Sequence, residues 1–174
     1  MPSEEMFRGF RVNAGKARFD ETIRLAGAPN DCKVSSMDTN GALCVFEFSG
    51  AGGWPRHSHQ RQDEWLYVIE GEVLVEVDKQ QSTLGPGESI FLPRDVMHAW
   101  GSAAAKVINL YQPAGKMEEM FRHLGHCNVG PPIHEVMLFP EFSGLFEDHG
   151  MKLLGPPLSG EWKVESDGRI VQVA

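Results

Sequence analysis

Along the first two thirds of the chain, short apolar runs are broken at regular intervals by glycine, proline and polar clusters. Successive strand side chains point to opposite faces, so residues 43–48 place Leu43 and Val45 on one side and Cys44, Phe46 and Phe48 on the other. Both faces are partly apolar, as in a strand enclosed between two layers. Asn40-Gly41 is a tight-turn dipeptide, and residues 34–50 read as a hairpin turned at Thr39-Asn40-Gly41. Further strands are expected over 64–70, 73–78, 89–93 and 106–112, separated by Gly71, by Gly85-Pro86-Gly87 and by the Gly101 region. In the first of these, alternation groups Leu66 and Val68 with Glu64 and turns Trp65 and Tyr67 the other way. Many short strands with glycine punctuation predict an all-β sandwich or barrel. No βαβ rhythm is present.

Helical periodicity follows. Over 115–125, Met117, Met120, Phe121 and Leu124 share one stripe and Gly125 supplies the stop. Residues 140–150 form a second short candidate, with Phe142, Leu145 and Phe146 together and Gly150 at its end. Between them, 127–140 is broken by prolines and reads as surface loop, and 162–174 reads as a small hairpin turned at Asp167-Gly168. No linker divides the chain. The expected organisation is one domain over 1–174, with a barrel core at about 34–113 and a helical and hairpin extension over 114–174.

Composition narrows the class of partner. The chain has 174 residues, 41% hydrophobic and 23% charged, which is globular composition. The net charge of −8 argues against nucleic acid or an acidic membrane and favours a small neutral or weakly acidic organic ligand. No run approaches the ~18 apolar residues of a membrane span, and residues 1–12 lack an apolar signal core. Cys32, Cys44 and Cys127 are odd in number and widely spaced, as expected of plain thiols in a reducing cytoplasm.

Candidate chemistry sits in two stretches. His57 and His59, two apart on a strand, emerge on the same side, and Glu64 follows five positions later. An isolated HxH pair is more often what a wet surface strand carries. A second stretch, 85–102, ends a strand at Pro93, turns, and places His98 beside Trp100. Taken together, His57, His59, Glu64 and His98 offer three imidazoles and a carboxylate, a set suited to a divalent first-row metal with positions left for ligand. A structural zinc suits the set less well, because closed structural sites favour cysteine. His123 and His126, at helical spacing, read as a solvated helix face with no carboxylate at a telling distance, and His134 and His149 carry no role. Arg56 and Arg61 flank the ligand stretch, available to an anionic substrate or to salt bridges.

The two stretches resemble the paired motifs of the cupin superfamily. His57-Ser58-His59, four residues, Glu64, six residues and Gly71 follow the first motif; Gly87-Glu88, Pro93 and His98 follow the second. Three positions depart from the pattern: Ala51 where the first motif opens on glycine, Asp95 for a glycine, and Ser102 for an asparagine. Residues 10–27, 31–48 and 152–158 are similar to single-domain bacterial cupins of the quercetin dioxygenase-like group. The resemblance implies a double-stranded β-helix, or jelly-roll barrel, enclosing a divalent transition metal: iron, manganese, nickel, copper, cobalt or zinc. It implies an oxygenase acting on an enolic or phenolic substrate such as a flavonol, with O2 as co-substrate and Glu64 as general base. The runner-up is an isomerase, lyase or hydrolase using the same metal, and a further alternative is a metal-dependent ligand sensor without turnover. Exposed edge strands, and the habit of such cupins, point to a homodimer.

Overall fold

The computed structural model describes residues 9–25, 27–126, 140–158, 161–164 and 170–173, the segments 140–143, 161–164 and 170–173 by backbone alone. Its strands are β1 (Thr22–Leu25), β2 (Ala28–Val34), β3 (Cys44–His59), β4 (Asp63–Gly71), β5 (Val73–Val77), β6 (Gln80–Leu84), β7 (Ser89–Leu92) and β8 (His98–Gln112). Two helices, α1 (Met117–His126) and α2 (Pro140–Asp148), precede β9 (Met151–Gly155), β10 (Glu161–Val164) and β11 (Ile170–Val173). The expected jelly-roll architecture with short C-terminal helices is present. Strands β1 to β9 pair antiparallel in one continuous sheet, and β10 pairs with β11.

Two long strands fold that sheet over. The first half of β3 pairs with the end of β8, from Cys44↔Tyr111 to Gly50↔Ala105, and its second half with the start of β8, from Gly52↔Ser102 to His57↔His98. On one side of the bend β8 continues to β4, and on the other to β5. The layers are therefore β1-β2-β3-β8-β4-β7 and β9-β3-β8-β5-β6, sharing the bent pair. Gly53 permits the close approach at the bend, since a Cβ there would collide with the Trp100 carbonyl and Gly101 Cα. Gly50, Gly52, Gly53 and Gly101 thus bend continuous strands where their residue type suggests strand ends.

Other expectations shift. Residues 35–42 form a longer turn region between β2 and β3, so Asn40 and Gly41, both at positive φ, do not make a two-residue hairpin. The sheet also reaches outside 34–113, through β1 and β2 before it and β9 after it. The proline-broken stretch 127–139, with Cys127 and His134, and the Asp167-Gly168 turn lie outside the described residues.

Apolar alternation fills the barrel. Phe46, Leu66, Val68, Val73, Val75, Leu92 and Val107 have no exposed surface. Helix α1 closes over this core with Met117, Met120, Phe121 and Leu124, the expected stripe. Phe121 packs edge-on against Phe46, ring centroids 4.7 Å apart, and within 5.8 Å of Trp54 and Tyr111. The buried Glu118 ties the helix to the turn after β2, accepting from Ser35 Oγ at 3.0 Å and Ser36 N at 2.6 Å. Cys32 and Cys44 are free, buried thiols. Burial, with the nearby Glu118, pushes the Cys32 thiol up to about 12, which makes it inert at neutral pH.

Candidate metal centre

The four ligand candidates come from three strands and meet inside the barrel. His57 and His59 lie on the second half of β3, facing inward together as their spacing requires. His98 opens β8 directly across from His57 in the ladder. Glu64, on β4, belongs to the opposite layer and pairs in register with Tyr111. All four are at most 2% exposed, which excludes the wet-strand reading of the HxH pair.

The loop before His98 is pinned at two points. Arg94 donates through Nε and Nη2 to Asp63 at 3.0 and 2.6 Å, and its backbone N–H adds a bond of 2.9 Å. Those hydrogen bonds hold the Asp63 carboxyl down to about 2. Asp95 N–H donates to the His59 carbonyl at 2.7 Å, joining the second motif to the first. Asp95 has φ of 62°, in the left-handed region where glycine is favoured and aspartate is among the better tolerated alternatives. The departure at this position therefore keeps the backbone shape.

Hydrogen bonding sets the tautomers. His57 Nδ1 donates to the Pro55 carbonyl at 2.7 Å and His98 Nδ1 to the Val96 carbonyl at 3.0 Å. A carbonyl only accepts, so when neutral both rings present an Nε2 lone pair to the centre. His57 Nε2 lies 3.3 Å from His59 Nε2, which lies 3.3 Å from Glu64 Oε2; His98 Nε2 is 3.4 Å from that same oxygen. His98 Nε2 and His59 Nδ1 have no hydrogen-bond partner among the described residues. Converging lone pairs at this spacing repel one another unless a cation or proton lies between them. An ion with bonds of ~2.0–2.2 Å spans donors ~3.0–3.5 Å apart, so the set fits a divalent metal.

Charge is distributed to suit that role. Burial lowers the proton affinity of His57 well below the usual range, and neighbouring His98 and His59 lower it further. Burial also lowers His59, against the opposing pull of Glu64. Burial pushes the Glu64 carboxyl up, but the contact with His59 Nε2, and then the neighbouring His98, outweigh it and hold the group well below the carboxylate range. Its other oxygen, Oε1, accepts from the Tyr111 hydroxyl at 3.4 Å. Burial, then the Glu64 charge, keep that phenol protonated far above its ordinary range. Tyr111 is absent from the sequence-derived site, because its place is set by cross-strand pairing with Glu64 and not by any local motif.

The remaining candidates separate. Arg56 pairs with Glu76 at 2.6 Å, with Gln81 also on that carboxylate, so it serves structure. Arg61 lines an open cleft of about 290 Å³ with Lys116, Glu147, Asp148 and His149. His126 is exposed, but His123 faces His149 with ring centroids 5.4 Å apart. Glu119 joins that pair, correcting the expectation of a helix face without a carboxylate partner.

The cupin domain family model matches residues 44–111, the stretch holding all four interior candidates. Residues 44–111 are a cupin domain. The chain is similar to the tetracenomycin polyketide synthase protein TcmJ of Streptomyces glaucescens, at 28% identity over 109 residues covering 61% of this chain and 70% of that protein. It is also similar to quercetin 2,3-dioxygenase of Bacillus subtilis, at 29% identity over 96 residues, 53% of this chain and only 28% of that enzyme. Among solved structures, an RmlC-like cupin from Shewanella frigidimarina matches with TM-score 0.54 and 22% identity, covering 64% of this chain and 96% of its own. The Streptomyces nucleoside dehydratase Pac13 matches with TM-score 0.51 and 13% identity, covering 64% and 88%. These two share the cupin fold with this chain.

Proposed function

We propose that this cupin is a metal-dependent dioxygenase acting on a small enolic or phenolic molecule, of which a flavonol is the simplest example. The observation that carries the reading is the convergence of His57, His59 and His98 Nε2 with Glu64 Oε2 inside an apolar barrel. The similarity to quercetin 2,3-dioxygenase supports the substrate class. A divalent ion held by these four residues supplies a Lewis acid that acidifies a hydroxyl presented to it.

The protein's own groups do the rest. Glu64, held ionised, is first a ligand. Once its histidine contacts loosen, its carboxylate accepts the substrate hydroxyl proton, while Tyr111 keeps Oε1 oriented. Leu66 and Val68, buried on the Glu64 face, and Phe121 on the capping helix keep bulk water from the centre.

A second reading uses the same centre for enolate chemistry without oxygen, as an isomerase, lyase or hydrolase. It is favoured by the match to a polyketide synthase protein, since polyketide chains enolise readily. Elemental analysis of protein purified without added metal identifies the ion. Flavonol, catechol and diketone substrates are then tested by anaerobic binding spectra and by oxygen consumption. Oxygen uptake stoichiometric with substrate loss supports the dioxygenase; turnover without uptake supports the second reading; binding without turnover makes the protein a sensor.

We also propose that the chain forms one cupin unit and acts as a cytoplasmic homodimer. Among the described residues no helix is long and apolar enough to cross a membrane. Phe91 on β7 and Leu154 on β9 are 59% and 50% exposed on edge strands, which gives pairing surface. Light scattering at micromolar concentration tests the dimer, and a mass near 19.3 kDa would refute it.

A further inference from the structure

We infer that Glu119, His123 and His149 form a second divalent-metal site, of the zinc type, on the outside of the barrel. Glu119 and His123 are one turn apart on α1 and so share a face. His149 follows directly after α2, and its ring stands perpendicular to that of His123. One donor atom from each of the three residues lies within 4.8 Å of the other two.

The buried histidine points to a ligand. His149 is 5% exposed, and its Nδ1 donates to the Leu145 carbonyl at 2.7 Å, near the end of α2. In the neutral ring the lone pair is therefore on Nε2. That atom is buried and has no hydrogen-bond partner among the described residues, while Glu119 Oε1 stands 3.8 Å away. A buried acceptor without a donor is unfavourable, and a cation between it and a carboxylate removes the defect. Two imidazoles and a carboxylate, with a fourth position for water, are a zinc-type donor set. Tetrahedral bonds of ~2.0–2.1 Å need donors ~3.4 Å apart, and Glu119 and His123, both exposed, have the freedom to close that gap. Their exposure also leaves an entry path from solvent.

Such an ion ties α1 to the turn that leads into β9. Met151, which opens β9, pairs with His59. The outer ion therefore braces the strand lying beside an interior ligand, without contributing to the interior centre.

The test is a Zn²⁺ titration of the full chain after chelator treatment, at micromolar zinc. Wild type should take two equivalents, His98→Ala one and His123→Ala one. His123 is exposed, so its truncation leaves the core packing alone, and Glu119→Ala is a second surface variant expected to match it. Zinc should raise the melting temperature of His98→Ala, and adding His123→Ala should abolish that rise. The inference is overturned if His123→Ala and Glu119→Ala bind zinc as wild type does, or if the outer equivalent fills only at millimolar zinc. It is equally overturned if His98→Ala binds none. Because the two sites are read in separate variants, failure of the outer site leaves the interior centre untouched.

Discussion

The interior and outer clusters use the same donor types and differ in how they are held. Inside, His57, His59, Glu64 and His98 are all fully buried on strands whose register fixes them before any ligand arrives. Outside, only His149 is fixed; Glu119 and His123 project from an exposed helix face. Burial makes the interior set costly in the absence of a cation, because lone pairs and a carboxylate converge away from water. The outer set loses little when empty, since two of its members are solvated. The pair teaches that preorganisation, more than residue type, separates a centre built for chemistry from one suited to a brace.

The largest predicted contrast is in metal retention. His59→Ala or His98→Ala should abolish metal binding at the interior centre, measured by elemental analysis after desalting, because each removes one of four enclosed candidate ligands. Stoichiometric retention there would break the proposed ligand set. Glu64→Gln should keep part of the metal but lower activity by ~10²-fold or more, since an amide cannot accept the proton. Unchanged turnover in that variant would remove Glu64 from the base role.

Acid should separate the clusters next. His57 and His59 bind protons less readily folded than unfolded, so the unfolded chain takes up more protons as pH falls through ~6.5 and stability drops. The depressed Glu64 carboxyl acts in the same direction, its contribution present above the unfolded carboxylate range and lost as pH falls toward its folded value. Urea unfolding of metal-free protein should therefore show a stability falling from pH 7 to about pH 5. A flat profile would contradict the neutral, buried state of the imidazoles. The same burial moves proton competition with the metal below the ~6.5 of a free histidine.

Smaller effects sharpen the contrast. Tyr111→Phe removes the hydroxyl on Glu64 Oε1 and should cost about 1.5 kcal/mol in chemical denaturation, the low end for a charged acceptor given the 3.4 Å length. Glu119→Gln in zinc-free protein should change stability by less than about 0.5 kcal/mol, as surface substitutions do. A larger loss would mean that Glu119 already carries structure without an ion.

Part of this was legible in the sequence. The HxH spacing works because strand periodicity is two, and the Glu64 and His98 offsets survive as motifs because each ligand sits at a strand end. Alternation placed Leu66 and Val68 beside Glu64, and they are buried there, while Trp65 and Tyr67 face outward and stack at 5.7 Å. Strand continuity was not legible. Glycines in β3 and β8 look like stops, yet they let one backbone approach another through the bend, as at Gly53. The exposed β6, Gln80–Leu84, has no apolar alternation to betray it. Tyr111 and the pairing of His123 with His149 arise from contacts between segments far apart in the chain, which no local pattern records.

The most direct test of the central claim is anomalous diffraction from crystals of metal-loaded protein, at the absorption edge of the ion identified. The account predicts a peak inside the barrel, ~2.0–2.3 Å from Nε2 of His57, His59 and His98 and from a Glu64 carboxylate oxygen. A fully loaded protein with no peak there, or with an ion held by any other set of atoms, would contradict it.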